Sequence, residues 1–411
     1  MPKMKNVFAI AAALAACSML QVAAAAPPSL RASTVSALDA FLHKVVDDRL
    51  VPGVVAVVAN SERVLYLRSA GKRDVAGDAA LAPDAIFRIA SMTKPITSAA
   101  VMMLHEEGRI GFEDPVSKYL PEFAGVRVMT SFDAATRTFE SRPPARAITV
   151  RHLLTHTSGI GYPFVDPRLM QLDTGGKTEA EIPLLHDPGE RFTYGPNTAV
   201  LGRIVEKISG RTLDAFLKAR VFEPLGMRET FYVVPSDDRE RVVTQHVREG
   251  TAFRELPNPA ALQERVRGDG GLFSTASDYA RFMQLFLNGG RAGGARLLGE
   301  ASIRLMMSNQ IGGLFVREQP SANPPRAKPF PFGGGKDKFG FGFQIEAPPP
   351  AAGLRSLGSA SWGGIYNTHF WIDPQKEIGV AVLMQVLPYY DGAAIDVLRG
   401  VERIVYAPDE R

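Results

Sequence analysis

The sequence predicts an α+β fold with one antiparallel sheet built from both chain ends, flanking helices and an inserted helical region. Apolar, β-branched runs bounded by turn residues occur near the start and near the end of the chain. Between about residues 91 and 307, the pattern is mostly that of helices broken by proline and glycine. The simplest arrangement pairs strands from about residues 50–70 and 340–390 in one sheet, with a site in the cleft beside the helical region. The predicted strands are Val54–Ala59, Arg63–Arg68, Thr368–Ile372 and Ile378–Val386.

The folded part of the chain is predicted to span about residues 30–405. Helical patterns predict a first helix over Ser36–Val46 and a closing helix over Ala393–Val405. The length of 411 residues exceeds the roughly 250–300 residues at which a single core stops growing, so one large or two interlocked domains are expected. The stretch Gln319–Gly340 and the proline tract at 348–350 are predicted loops, which either line the cleft or form a surface insert.

The first 26 residues are predicted to be a cleavable export signal. Lys3 and Lys5 give a positive start, Val7–Ala16 is unbroken apolar sequence, and Ala23–Ala25 supplies small residues for cleavage. The apolar part is too short for a membrane span, which needs about 20 residues. Alternatively, the residues up to Cys17 resemble a bacterial lipobox, in which the signal ends before a lipidated cysteine. The protein is therefore expected to be periplasmic or secreted, and attached to a membrane only if Cys17 is lipidated.

Composition argues against several other classes of protein. Forty-seven basic and 43 acidic residues give a formal charge of +4, and two of the basic residues lie in the predicted signal, so no nucleic-acid partner is expected. Cys17 is the only cysteine, which leaves the folded part without a disulfide, a cysteine zinc site or a cysteine nucleophile. The seven histidines lack H-E-x-x-H spacing. An enzyme without a metal or other cofactor is predicted.

Ser91-Met92-Thr93-Lys94 is the first candidate for chemistry, at the start of a helical pattern. Residues three apart share one helix face, so the Lys94 amine is placed beside the Ser91 hydroxyl. A hydroxyl becomes a nucleophile beside a base, and a buried lysine with a lowered pKa can be that base. On local pattern alone, Ser91 is equally well a helix N-cap, and Ser69-Ala70-Gly71-Lys72 is a second S-x-x-K match that is interpreted as chance.

The wider context of this motif resembles a known family. The segment Phe87–Pro95, with the sequence FRIASMTKP, is similar to the nucleophile segment of the class C β-lactamase and penicillin-binding-protein superfamily. That superfamily also contains D,D-peptidases, carboxylesterases and an acyltransferase branch. The resemblance extends from about residue 35 to 405 and implies a β-lactamase/transpeptidase-like fold, with Ser91 as nucleophile and Lys94 as its base. Three further family-like phrases follow in the same order, at Leu153–Gly159, Pro224–Met227 and Gly270–Thr275.

By the same resemblance, the second motif falls on Tyr194. In class C β-lactamases it reads Y-x-N, where the tyrosine assists proton transfer and the asparagine binds substrate. Here Pro196 takes the asparagine position, and Asn197 comes one residue late, about 100° further round a helix. The resemblance implies a catalytic role for Tyr194 and none for Asn197. The alternative is that Tyr194 is a half-buried structural aromatic.

The third motif differs from that of the β-lactamases, which have K-T-G on a strand at the edge of the cleft. This chain has Trp362-Gly363-Gly364, followed by IYNTHFWIDP, which resembles the esterase branch. The resemblance implies that these three residues contact substrate and that the backbone N–H groups of Ser91 and Ile365 form the oxyanion hole. The cation that grips a substrate carboxylate in the β-lactamases is missing.

Two histidines are weaker candidates. His156 could carry protons, although in the family phrase it is structural. His369 lies on a predicted strand close to Ile365, and it either touches substrate or points into the protein through strand alternation. No G-x-S-x-G sequence occurs, which argues against an α/β-hydrolase with a Ser-His-Asp triad.

The sequence therefore predicts a serine hydrolase that forms an acyl-enzyme on Ser91. Without the K-T-G cation and the Y-x-N asparagine, an esterase acting on small neutral esters is favoured. A β-lactamase or D,D-peptidase and an acyltransferase are alternatives within the family, so the expected partner is a small-molecule ester or lactam. A catalytically silent protein that binds cell-wall peptide is an alternative of another class, and the joint presence of Ser91, Lys94 and Tyr194 argues against it.

Overall fold

The structure is a computed structural model that describes residues 29–172, 174–348 and 354–408. The predicted signal over residues 1–26, with Cys17, lies outside the described residues, as does most of the proline tract. The helices are α1 (Ala32–Asp47), α2 (Thr93–Glu106), α3 (Val150–Leu154), α4 (Pro167–Gln171), α5 (Asn197–Ser209), α6 (Leu213–Leu217), α7 (Glu223–Leu225), α8 (Ala276–Leu287), α9 (Glu300–Met306) and α10 (Gly392–Val405). The strands are β1 (Gly53–Asn60), β2 (Val64–Gly71), β3 (Phe87–Arg88), β4 (Val128–Asp133), β5 (Thr138–Arg142), β6 (Gln245–Glu249), β7 (Ala252–Leu256), β8 (Phe273–Ser274), β9 (Arg291–Ala292), β10 (Ala295–Arg296), β11 (Lys338–Phe339), β12 (Gln344–Ile345), β13 (Ala360–Gly364), β14 (Thr368–Asp373), β15 (Ile378–Leu383) and β16 (Val386–Leu387).

The central sheet has seven strands in the order β11-β12-β13-β14-β15-β1-β2, and every neighbouring pair is antiparallel. Strands from the two chain ends meet between its fifth and sixth strands, where Val57 of β1 lies opposite Ala381 of β15. This confirms the predicted α+β fold with a sheet built from both ends. The predicted first hairpin and closing helix agree with β1, β2 and α10 to within a few residues.

The sheet is covered on both faces because successive side chains of a strand point to opposite sides. In β1, Val54 and Val58 pack into the core beneath α1 and α10, whereas Val55 and Val57 pack into the larger core that contains α2 and α8. All of β1 is buried. Burial on both faces explains why this strand is a continuous apolar run instead of an alternating one.

One predicted strand is too long. The run Ile378–Val386 leaves the sheet after Leu383, and Val386 belongs to β16, which pairs in parallel with β6. Between the two strands, the buried side chain of Gln385 accepts from the N–H of Arg88 at 3.3 Å and donates to the carbonyl of Arg88 at 3.0 Å. Leaving the sheet at this point lets the amide secure the segment that precedes α2.

The region between α2 and α9 is not wholly helical. Helices make up most of its regular structure, as predicted, but the hairpins β4–β5 and β6–β7 also lie in it. Most residues of these hairpins are exposed or partly exposed, so they leave no continuous apolar run that would identify them in the sequence. Among the described residues, no helix is both long and apolar enough to cross a bilayer.

Candidate active site

Ser91 lies at the entrance to α2, where the inserted region meets the sheet. It belongs to a short 3₁₀ turn, Ala90–Met92, and α2 starts directly after that turn at Thr93. Ala90 has a φ of 44°, a left-handed conformation that costs a non-glycine residue about 1–3 kcal/mol. Backbone strain of this kind clusters at functional sites, where the surrounding packing fixes the geometry.

Two buried side chains meet at the Ser91 hydroxyl. Lys94 Nζ lies 3.1 Å from Ser91 Oγ, as the three-residue spacing predicts. Tyr194 Oη lies 2.8 Å from the same oxygen. Lys94 and Tyr194 are 1% and 3% exposed, whereas Ser91 is partly exposed. An accessible hydroxyl with two proton-transfer groups within hydrogen-bond reach has the geometry of nucleophilic catalysis.

Contacts on three sides hold Tyr194 just before α5. Its backbone N–H donates to Gln319 Oε1 at 3.0 Å. Its ring packs against Trp362, with the ring centroids 5.1 Å apart. Lys94 Nζ lies 4.9 Å from the centroid of the tyrosine ring. These contacts fix the phenol beside the Ser91 hydroxyl.

Two residues that the sequence did not single out complete the surroundings of Lys94. Its Nζ donates to the Tyr162 hydroxyl at 3.1 Å and to the backbone carbonyl of Asp269 at 2.7 Å. With Ser91, this makes three acceptors, which match the three N–H donors of an ammonium group. Tyr162 also donates to Asp269 Oδ2 at 2.5 Å, and Arg267 Nε donates to Asp269 Oδ1 at 2.8 Å.

The charges around Lys94 follow from these contacts. Burial opposes the ionisation of Asp269, but Lys94 and Arg267 hold the pKa of its carboxyl below the usual value. Asp269 is therefore a carboxylate at neutral pH, and Lys94 and Arg267 are the two cations beside it. Burial and the Asp269 charge raise the pKa of the Tyr162 phenol well above its usual value. Tyr162 thus remains a neutral hydrogen-bonding group that positions Lys94.

The second S-x-x-K sequence does not bring its two side chains together. Ser69 Oγ donates to the carbonyl of Leu81 at 2.6 Å. Lys72 Nζ donates to the carbonyl of Gly77 and to Asp78 Oδ1, each at 3.1 Å. The two residues thus have separate partners.

His156 and Asn197 form a buried pair that does not line the cavity over Ser91. Asn197 Nδ2 lies 2.9 Å from His156 Nδ1, and Asn197 Oδ1 accepts from the Ser158 hydroxyl. Burial, with Lys94 nearby, lowers the pKa of His156 well below its usual value, so the ring is neutral. His156 packs against Tyr194 with the ring centroids 5.0 Å apart, and of the two alternatives for this histidine, the structure favours support of the tyrosine.

The third motif forms one wall of the cavity, which has a volume of about 240 Å³. Trp362, Gly363 and Ile365 line this cavity together with Ser91. Gly364 packs against the segment that precedes Ser91, since a Cβ at Gly364 would lie 2.3 Å from the carbonyl oxygen of Ile89. This close approach, which requires glycine, brings the Ile365 backbone next to the turn that contains Ser91.

His369 lies on β14 and does not line the cavity over Ser91. Its ring stacks on Tyr389 with the centroids 5.8 Å apart. Burial and, secondarily, the charge of Arg355 lower the pKa of His369 to about 3, so its imidazole is neutral. Of the two alternatives for this histidine, strand alternation into the protein is the one that the structure shows.

Comparison with known proteins gives the same assignment as the sequence phrases. The family model described as Beta-lactamase matches residues 38–400. The chain belongs to the β-lactamase family. Within that family, Protein Rv1367c of Mycobacterium tuberculosis (strain H37Rv) is 33% identical over 376 residues, which cover 85% of this chain and 89% of the relative. Esterase EstB of Burkholderia gladioli is 29% identical, with coverage of 92% of this chain and 96% of the esterase.

A solved structure shows that the similarity includes the fold of nearly the whole chain. Unliganded simvastatin synthase (LovD) from Aspergillus terreus superposes on this chain with a TM-score of 0.76 at 25% identity, covering 92% of this chain and 99% of LovD. The predicted superfamily and β-lactamase/transpeptidase-like fold are thereby confirmed. This β-lactamase-family chain is a serine hydrolase whose relatives include proteins named as esterases and as acyltransferases.

Two residues that contact Lys94 and were not predicted, Tyr162 and Asp269, lie next to the family-like phrases of the sequence. Tyr162 follows the phrase that ends at Gly159, and Asp269 immediately precedes the phrase that begins at Gly270. Their nearness to these phrases is the signal in the sequence that points to them. The residues adjacent to Lys94 in sequence do not indicate that its amine contacts a carbonyl 175 residues away. Among the described residues, no group of three His, Cys, Asp or Glu side chains could hold a metal ion.

Proposed function

We propose that this β-lactamase-family chain is an esterase that acts on small esters through an acyl-enzyme on Ser91. The observation that supports this most strongly is the position of Ser91 Oγ, 3.1 Å from Lys94 Nζ and 2.8 Å from Tyr194 Oη, on a residue that lines the cavity of about 240 Å³. The third motif itself, Trp362-Gly363-Gly364, contributes no charged side chain to that cavity, so binding of an ester does not require a carboxylate at this position.

In the proposed acylation step, neutral Lys94 accepts the hydroxyl proton as Ser91 Oγ bonds to the ester carbonyl carbon. The ammonium group that forms has three acceptors and the Asp269 carboxylate nearby. The carbonyl oxygen becomes an oxyanion, which we assign to the backbone N–H groups of Ser91 and Ile365. The bond between the carbonyl carbon and the leaving oxygen then breaks, the leaving group takes the proton held by Lys94, either directly or through the Tyr194 hydroxyl, and the acyl group stays on Ser91.

Deacylation repeats the cycle with water as the nucleophile. Lys94 and Tyr194 take a proton from the attacking water, the acyl carbon–Ser91 bond breaks, and Ser91 regains its hydrogen. An alcohol that replaces water at this step would yield a new ester, which is acyl transfer. We place hydrolysis first because two relatives are named as esterases, and the transferase names of other relatives make acyl transfer the second candidate.

Trp362 supports an ester over a β-lactam as substrate. In the resembling β-lactamases a third-motif lysine meets the antibiotic carboxylate, and here an indole takes that position. A charge-assisted hydrogen bond contributes about 1.5–3 kcal/mol, so its loss lowers affinity for such substrates about ten- to a hundred-fold. The relative EstB is named as an esterase, which agrees with this preference.

Parallel assays with 4-nitrophenyl butyrate, a chromogenic cephalosporin and a penicillin test the proposal. We expect a higher kcat/KM for the ester than for either lactam. Trp362→Lys should narrow that difference only slightly, because Asn197 is turned into the protein and cannot assist. Faster hydrolysis of a penicillin than of the ester by the wild-type protein would refute the assignment.

On the basis of the predicted export signal over residues 1–26, we also propose that the protein is exported. Its mature form would then start near residue 27 or at a lipidated Cys17. Mass spectrometry of the mature protein from a Gram-negative host distinguishes the two start sites, and Cys17→Ala is the control for lipidation. Recovery of the unprocessed chain from the cytoplasm would contradict export.

A further inference from the structure

The charged residues that line the active-site cavity are unequal in number. Among the residues that the structure describes, four arginines and two acidic residues line it. The arginines come from three segments of the chain. The lining arginines are Arg88, Arg265, Arg267 and Arg326, and the acids are Glu264 and Asp269.

Both acids are already paired with an arginine. Arg267 Nε lies 2.8 Å from Asp269 Oδ1, and Arg88 Nε lies 3.3 Å from Glu264 Oε1. Glu179 adds a third carboxylate to this network, 2.9 Å from Arg267. Neither acid is within ion-pair distance of a further arginine, so the excess positive charge belongs to the other two arginines.

Arg265 and Arg326 are exposed and have no ion pair among the described residues. The Arg326 guanidinium lies 5.4 Å from the centroid of Phe164, which also lines the cavity, and this contact holds the cation at the rim without neutralising it. Tyr366 lies in the same wall. Burial raises the pKa of Tyr366, so its phenol remains protonated and can donate to an anion.

We propose that Arg265 and Arg326 form an anion subsite of the active cavity, and that the preferred esters carry a carboxylate at the end remote from the scissile bond. This inference rests on the proposed esterase function. The inference refines the expectation of neutral substrates. Uncharged esters are hydrolysed, and otherwise similar esters that carry a remote carboxylate are hydrolysed faster.

The proposed subsite is compatible with the missing cation of the third motif. A β-lactam carboxylate is fixed close to the lactam nitrogen, where Trp362 offers no charge. Arg265 and Arg326 lie on segments distinct from the Trp362 strand. A flexible ester can direct a distant carboxylate to them, whereas a fused lactam cannot move its carboxylate independently of the reacting bond.

Two substrate pairs test the subsite, one for each end of the ester. The first pair, mono-4-nitrophenyl adipate and 4-nitrophenyl hexanoate, has the charge on the acyl side. The second pair, 4-acetoxybenzoate and its methyl ester, has it on the leaving group. The readout is the ratio of kcat/KM for the charged ester to kcat/KM for the neutral ester, compared between wild type and variant so that intrinsic reactivity cancels. We expect this ratio to fall about tenfold in Arg265→Gln and in Arg326→Gln for at least one pair, and to shrink in 0.5 M NaCl because both arginines are exposed.

Arg265→Lys retains the charge and should keep most of the ratio. Arg304→Gln is the matched control, because Arg304 is also exposed but lies on α9 outside the cavity, and it should leave the ratio unchanged. A ratio that stays within twofold of wild type in the double variant Arg265→Gln/Arg326→Gln, for both pairs, would overturn the subsite. Failure of the wild-type protein to hydrolyse the neutral esters would instead overturn the esterase function on which the subsite depends.

Discussion

The proposed mechanism requires Lys94 to act in two protonation states. Its amine must be neutral to accept a proton from Ser91, and the ammonium group that results has three acceptors within 3.1 Å and the Asp269 carboxylate close by. Such surroundings stabilise the state that follows proton transfer, which lowers the barrier to attack. An arginine would satisfy the same acceptors but cannot release its proton.

Lys94→Arg should therefore slow acylation by roughly two orders of magnitude or more. The rate of covalent labelling by a fluorophosphonate measures this step directly. Lys72→Arg is the control, since Lys72 belongs to the S-x-x-K sequence whose side chains do not meet, and it should label at the wild-type rate. Near-normal labelling of Lys94→Arg would show that Lys94 is only an electrostatic or structural residue.

At the residue scale, what the sequence could predict depended on distance along the chain. The contact between Ser91 and Lys94 follows from helix geometry over three residues. Tyr194 was reached through the family resemblance. Tyr162 and Asp269 come from loops 68 and 175 residues from Lys94, and only the tertiary fold brings them together.

At the scale of elements, the proposed oxyanion site depends on the position of β13 against the Ser91 turn. The approach depends on Gly364, where a Cβ would lie 2.3 Å both from the Ile89 carbonyl oxygen and from Thr368 Oγ1. Both neighbours belong to packed backbone or to the adjacent strand, so neither can move without shifting the wall of the cavity.

Gly364→Ala is accordingly expected to reduce kcat at least tenfold and to destabilise the fold by about 1–3 kcal/mol. Steady-state kinetics and thermal unfolding measure the two effects. Gly313→Ala provides the matched control, because no atom in the described part of the chain lies within 4 Å of a Cβ at Gly313. Wild-type kcat in Gly364→Ala would contradict the assigned role of β13.

The elements that the sequence predicted well are the buried ones. β1 and β15 are entirely buried, and their unbroken apolar runs are visible in the sequence. The hairpin β4–β5 is largely exposed and carries no such signal. The prediction that β15 continues to Val386 was wrong, because the chain leaves the sheet after Leu383 and Gln385 then donates a hydrogen bond to the carbonyl of Arg88. That contact spans 297 residues of sequence.

At the scale of the whole molecule, buried charge links stability to pH. Asp337 is 3% exposed and accepts from Gln344 Nε2 at 2.7 Å. Burial raises the pKa of its carboxyl to about 6. Because the pKa of Asp337 is higher in the folded protein than in the unfolded chain, the protonated carboxyl contributes to the stability of the fold. This contribution is fully present below the unfolded pKa of about 3.9 and is lost as the pH rises through the folded pKa of about 6.

Asp337→Asn removes this titration while keeping an acceptor for Gln344. The free energy of unfolding of the wild type minus that of the variant should therefore fall by about 1–3 kcal/mol between pH 4 and pH 8. Urea denaturation of both proteins at the two pH values gives this difference, and other titrating groups cancel in it. A difference that does not change with pH would show that Asp337 does not ionise in this range.

The central claim is that Ser91 becomes covalently acylated, and intact-protein mass spectrometry after treatment with a fluorophosphonate tests it most directly. We expect one label per chain in the wild type, no label in Ser91→Ala, and a full label in Ser69→Ala, whose hydroxyl is bonded to the carbonyl of Leu81. Peptide mapping should place the label on Ser91. A label that persists in Ser91→Ala and disappears when another serine is replaced would contradict the account.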